Sequence, residues 1–377
     1  MSFAKAKISS LRLDIKQKFQ SQSGKVWLLN LDQIEQHSGR VISKEYVNIS
    51  EIGNSTHYFS KGTVLYSKLR PYLNKVVIAN EDGFATTELV PINCDLKKVN
   101  PEYLAYFLRS ELFLTFATNV VAGAKMPRMV MGEFWNYEIP LPPLEEQRRI
   151  ASILDQADEL RQKRQQAIEK LDQLLKATFI DMFGDPVKNS RNIKETSLYE
   201  IAKIYTGKTP PSSKENMFNG EIPFITPGDL GNIITKSKRS LTLEGGAYSK
   251  IVPIGSTLVC CIGATIGKMG YASISCSFNQ QINSITWGSQ INPIFGYEMF
   301  KFYSGLISVK GASTTLPILK KSEFEKIKVI VPEMDLQIKF EEIAKLIWQQ
   351  TEIQKSALNE NKSLFNSLQQ KAFNGTL

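Results

Sequence analysis

Histidine is nearly missing from these 377 residues: His37 and His57 are the only two. Both lie in the first half, which excludes a histidine-based catalytic site built twice. Cysteine is scarce as well. Cys94, Cys260, Cys261 and Cys276 show no CxxC spacing and two of them are adjacent, the pattern of buried thiols in a reduced cytosol rather than of a disulfide framework or a metal site. No run of about 18 apolar residues occurs, so no membrane helix is expected. The N-terminal 20 residues carry charges throughout and no apolar core, unlike a secretory signal. Catalytic signatures are missing too: there is no strand-linked GxGxxG fingerprint, no Asn-Pro-Pro-aromatic methyltransferase motif and no convincing nuclease carboxylate cluster. The stretch GATIGKMG at 263–270 fails the phosphate-loop spacing, with Met269 where a Mg²⁺-binding hydroxyl would stand. It reads as a Gly-rich bend presenting Lys268 on a surface. The chain is therefore read as doing no chemistry itself, with no cofactor.

What is present is a long amphipathic helix, placed twice. From Leu144 to Phe183, apolar residues recur at Ile150, Ile153, Leu154, Ala157, Leu160, Ile168, Leu171, Leu175 and Met182 in steps of three and four. No Pro or Gly interrupts this stretch before Gly184, and about 40 residues at 1.5 Å each predict a rod roughly 60 Å long. A second stripe, Leu336, Phe340, Ile343, Ile347, Leu358, Phe365, Leu368 and Ala372, runs to Gly375. The lead-ins agree: Pro127, Phe134, Pro142 and Gln147 match Pro317, Phe324, Pro332 and Gln337 at a constant spacing of 190. GTVLY at 62–66 and YLAYFLRS at 103–110 parallel GSTLV at 255–259 and YEMFKFYS at 297–304. The chain is an internal duplication, each half a globular segment followed by a helix.

The first globular segment, 1–143, begins with a polar, helix-like stretch. Alternating runs at 25–29, 46–49, 63–66 and 75–79 then predict strands, followed by a helix over 100–116 and a closing strand at 135–141. The second, 185–332, predicts a short helix at 197–204, strands at 222–226, 256–262 and 281–287, a helix at 293–304 and a strand at 326–331. Both halves read as α+β. The helical segments are 144–184 and 333–377. The two helices together carry a net charge of −2 within an overall +9, so the remainder carries +11. Basic globular parts suit a polyanion such as nucleic acid, the alternative being a solvated surface that happens to be basic. The loop at 207–214 supplies Lys208, Thr209, Ser212 and Lys214 as candidate phosphate contacts, though solvated turns share that composition.

IPLPPLEEQRRI at 139–150, TGKTP at 206–210, IPFITPGD at 222–229 and GATIG at 263–267 together resemble the specificity subunits of type I restriction–modification enzymes, over essentially the whole chain. That resemblance implies two pseudo-repeated target-recognition domains, each reading half of a split, asymmetric site in double-stranded DNA. It implies two antiparallel coiled-coil helices that separate the domains and dock two methyltransferase subunits, with a restriction/motor subunit joining for cleavage, all in the cytoplasm. Departures exist: the first half lacks a counterpart of TGKTP and has KLRP at 68–71 in place of the GATI bend. Position in Gly/Pro-rich loops marks Lys68, Arg70, Lys125 and Arg128 in the first half, with Lys268 and Lys320 in the second, as further candidates to face DNA. The competing class is a duplicated helical scaffold binding protein or carbohydrate. Affinity for duplex DNA that falls steeply with salt separates the two.

Overall fold

Two long α-helices organise the computed structural model, which describes residues 3–14, 24–211, 213–214, 216–311 and 317–377. They span Leu144–Phe183 and Met334–Asn374. Each ends at a glycine with left-handed backbone, Gly184 at φ 77° and Gly375 at φ 75°, where a Cβ would be strained. The chain packs as two compact units, and each takes one end of both helices: Met1–Gln165 with Ser356–Leu377, and Gln166–Lys355.

Within each unit the helices run antiparallel. In unit 1, Ile150, Leu154 and Ala157 share a core with Phe365, Ala372 and Phe373. Arg149 donates to the Leu377 carbonyl, and Arg161 lies 4.1 Å over the Phe365 ring, so position rises on one helix as it falls on the other. In unit 2, Phe340, Ala344 and Ile347 pack with Leu175, Phe179 and Phe183. Five of these pairs, Ile150/Phe340, Leu154/Ala344, Ala157/Ile347, Leu175/Phe365 and Phe183/Phe373, are 190 residues apart, so the duplication extends to the core contacts. Three residues of the expected stripes, Leu160, Leu336 and Ile343, are exposed instead. The seam runs in steps of four, three and four from Ile150 through Leu154 and Ala157 to Arg161, and of three and four from Gln337 through Phe340 to Ala344, which turns those three outward.

The globular parts repeat a sheet plan. In unit 1, Glu45–Asn48, Lys25–Leu29, Gly83–Thr86 and Thr56–Phe59 form one sheet in that order, with Lys25–Leu29 parallel to Gly83–Thr86. In unit 2, Arg239–Leu241, Phe218–Ile225, Cys276–Phe278 and Ile251–Val252 form the same order, with the parallel pair again in the middle. A second sheet, Val76–Ile78, Val64–Ser67 and Leu89–Ile92, matches Met269–Ala272, Thr257–Cys260 and Ile282–Trp287, to which unit 2 adds Ala202–Thr206 and Ile233–Ile234.

Several local expectations change. The polar start is helical only over the single 3-10 turn Ile8–Leu11: Lys5–Lys7 before it is a strand paired with Glu138–Pro140, and 15–23 lie outside the described residues. The helix expected over 100–116 is two, Pro101–Leu108 and Glu111–Asn119, because the Ser110 Oγ accepts from the Phe113 amide and starts a new one. The strand expected from 135 begins at Glu138, after a short helix Met131–Asn136 that buries Phe134 against Tyr66. The helix expected over 197–204 is only Leu198–Ile201; Ser197 pairs with Lys328, and from Ala202 the chain pairs as a strand with Ile282–Trp287.

One buried side chain fastens each long helix to its globular part. Gln147 is fully buried; its Oε1 accepts from the Asn100 amide at 2.8 Å, and its Nε2 donates to the carbonyls of Lys98 at 3.0 Å and Pro142 at 2.8 Å. Gln337 repeats all three bonds with Asn292, Gln290 and Pro332 at 2.8, 3.0 and 2.8 Å.

Candidate nucleic-acid interface

The four candidates of the first half come together at one end of the Val64–Ser67 strand. Just beyond it the chain meets the Val121–Ala122/Arg128–Met129 hairpin. The Lys68 amide donates to the Glu88 carbonyl at 3.0 Å, the Arg70 amide to Pro127 at 2.7 Å and the Met129 amide to Lys68 at 2.8 Å. Leu69 and Arg128 form a bridge between those bonds. Lys125 is exposed at the hairpin tip and Arg70 is exposed on the facing loop, while Lys68 is half-buried. Arg128 is engaged internally: its Nε lies 3.1 Å from both Glu88 carboxylate oxygens and its Nη2 donates to Oε1 at 2.8 Å. His57, on the neighbouring Thr56–Phe59 strand, has its pKa lowered by burial and by the charge of Lys68.

Unit 2 builds the same platform from other residues. The Cys261 amide donates to the Gln281 carbonyl at 2.8 Å, Gly263 to Pro317 at 2.9 Å and Leu319 to Cys261 at 2.9 Å, with Ile262 bridged to Ile318. Lys68, Leu69 and Arg70 thus correspond to Cys261, Ile262 and Gly263, and Pro127, Arg128 and Met129 to Pro317, Ile318 and Leu319. Lys320 follows, exposed, ahead of the short helix Lys321–Phe324. Lys268 does not project as expected: it is half-buried, and its Nζ donates to the Pro227 carbonyl at 3.2 Å beside Gly231, whose missing side chain leaves room for it.

The loop after Ala202–Thr206 lies against the 278–281 turn. The Lys208 amide donates to the Phe278 carbonyl at 3.0 Å, leaving its side chain exposed, and Thr209 Oγ1 donates to Gln280 at 2.5 Å. Lys214 donates to the Tyr248 hydroxyl at 2.5 Å, which raises its pKa, and sits 4.8 Å over the same ring. Ser212 lies outside the described residues. Sequence reading passed over three neighbours: Lys250, 4.0 Å over Tyr205, Arg239, 4.6 Å over Phe218, and Glu88. The cation–aromatic pairs join residues distant in sequence, so no local motif marks them. Among the described residues no cluster of His, Cys, Asp or Glu could hold a metal ion. All four cysteines are buried free thiols, and burial pushes Cys94, Cys261 and Cys276 up to about 12. No described helix is long and apolar enough to cross a membrane.

With two matching platforms on two matching units, comparison with known proteins is decisive. The family described as type I restriction modification DNA specificity domain matches this chain twice, over residues 16–170 and 191–362. The chain belongs to that family. The specificity subunit of the type I restriction enzyme HindI from Haemophilus influenzae is 24% identical over 410 residues, covering 84% of this chain and 88% of that protein. The EcoDI specificity subunit of Escherichia coli is 26% identical over 156 residues, and there the match spans 40% of this chain and only 34% of the relative. Among solved structures, the type I restriction–modification S subunit from M. genitalium superposes with a TM-score of 0.62 at 19% identity, over 98% of this chain and 96% of that one. A chain from a type I system solved for its complex assembly and conformational transition gives 0.56 at 18% identity, over 100% and 98%. Both superpositions show that the fold described above is shared.

Proposed function

We propose that this chain is the non-catalytic DNA-reading subunit of a type I restriction–modification complex, acting in the cytoplasm. Segments 1–143 and 185–332 each read one half of an asymmetric bipartite site in double-stranded DNA. Segments 144–184 and 333–377 join them and dock two methyltransferase subunits, which modify adenine; a restriction/motor subunit joins for cleavage. The observation that carries this reading is the doubled platform with unlike side chains: Lys68, Arg70 and Arg128 in one copy, Cys261, Gly263 and Ile318 in the other. One backbone plan bearing two chemistries suits two different short sequences, and the positive loops around it suit phosphates. The exposed Leu160 and Leu174 of the first helix and Leu336, Leu346 and Ile353 of the second offer apolar contact to partner subunits.

The test is to map N6-methyladenine in DNA modified by this chain together with its methyltransferase subunit. Two unlike half-sites separated by a fixed gap are expected. A single continuous or symmetric site, or no sequence preference, would overturn the reading.

A further inference from the structure

Seven described residues other than glycine have positive φ; five are asparagine, one is histidine, and the last is Arg70, at φ 49° and ψ 63°. Asparagine and histidine are the side chains that visit this region most readily, whereas arginine has no such excuse. Nearby Asn74, at φ 49°, uses its side chain to hold the Arg109 carbonyl at 2.9 Å. The Arg70 guanidinium is exposed and has no such internal role. Pro71 follows, and a residue before proline is ordinarily held extended, which adds to the strain. At the equivalent position unit 2 has Gly263, at φ 95°, which adopts the conformation freely. The platform therefore tolerates glycine there, and in unit 1 it carries a strained arginine. Strain kept where glycine would serve points to a ligand.

The backbone at Arg70 is pinned. Its amide is held by Pro127 at 2.7 Å, its carbonyl accepts from the Leu73 amide at 2.9 Å, and the flanking Met129–Lys68 bond closes the other side. A phosphate needs only a nearby cation, which exposed Lys125 supplies on a loop without such constraint. A fixed starting point matters when the target is one particular base edge. Arginine offers only donors, and the edge that presents two acceptors side by side in the major groove is guanine, at O6 and N7. Arg128 is held by Glu88 and leaves this task to Arg70.

We propose that Arg70 reads a guanine in the half-site recognised by unit 1, and that unit 2 has no equivalent reader because Gly263 stands in its place. This rests on the DNA-reading role proposed above. The experiment compares the intact chain, Arg70→Gly and Arg70→Ala, each with its methyltransferase subunit, by methylation mapping and by thermal unfolding. Both variants should accept any base at one G·C position of one half-site, losing roughly 5- to 150-fold discrimination there, with the other half-site unchanged. Arg70→Gly should also raise Tm because the strain is relieved, while Arg70→Ala should not. Undiminished guanine preference in both variants overturns the inference, as does an equal loss on all sequences, the mark of a phosphate contact. So does a fall in Tm for Arg70→Gly, the mark of a structural role. If the unmutated chain directs no sequence-specific methylation, the DNA-reading role itself falls.

Discussion

Replacing Gln147 by alanine strands three backbone groups at once: the part-buried Asn100 amide and Lys98 carbonyl and the buried Pro142 carbonyl. A buried polar group left without a partner costs about 1–3 kcal/mol. Water entering the vacated space recovers part of that, since it would find three polar partners. A loss of about 3 kcal/mol is therefore expected, which for a unit of this size lowers its melting temperature by roughly 6–12 °C. Gln337→Ala should do the same to unit 2, because its three bonds repeat those of Gln147. The two substitutions touch separate packing units, so their effects should add. Gln147→Glu gives a sharper check. A carboxylate still accepts from Asn100 but faces two carbonyl oxygens, so at neutral pH it should destabilise more than alanine. At low pH the protonated acid can donate once, and the deficit should shrink. Scanning calorimetry of the three single variants and of the double alanine variant measures this. A loss below about 0.5 kcal/mol, ordinary for a surface change, would refute the argument that these glutamines fasten the helices.

Three further outcomes are expected. Burial raises the pKa of the Glu298 carboxyl, opposed by Lys301 at 2.9 Å and the Trp348 indole at 3.1 Å and reinforced by the nearby charge of Asp172. A raised acid binds its proton more tightly folded than unfolded, so its penalty exists only above the ordinary carboxylate pKa; Glu298→Gln should stabilise unit 2 at pH 8 and lose that gain by about pH 4, as read from melting curves. Removing the exposed Lys125 by alanine should weaken binding to all duplexes alike and lower the slope of log affinity against log salt by about one; an unchanged slope argues against phosphate contact. Exchanging 185–332 for the matching segment of a relative should change one half of the methylated sequence only, and a change in both halves would show that the units are not independent readers.

The sequence by itself determined the duplication, the two helices and nine of the 22 strands among the described residues. These depend on local information: a three-four apolar rhythm, glycine stops at Gly184 and Gly375, and a spacing of 190 that pairs Gln147 with Gln337 before their common role is visible. The strand at Lys25–Leu29 falls where its alternation places it for the same reason. Only the tertiary structure decided which residues of each stripe face the partner helix, because one step of 100° separates buried Gln337 from exposed Leu336. It also decided that Lys5–Lys7 is a strand, since its partner is more than 130 residues away. The candidate interface divides the same way. Basic residues in Gly/Pro-rich loops could be named from the sequence. Whether Lys268 projects or bonds to Pro227, whether Arg128 is taken up by Glu88, and that Arg70 is held in a glycine's conformation depend on chain segments that meet only after folding. A side chain's availability to a ligand is what remains after its neighbours have claimed their share of its hydrogen bonds, and those neighbours are chosen by the fold.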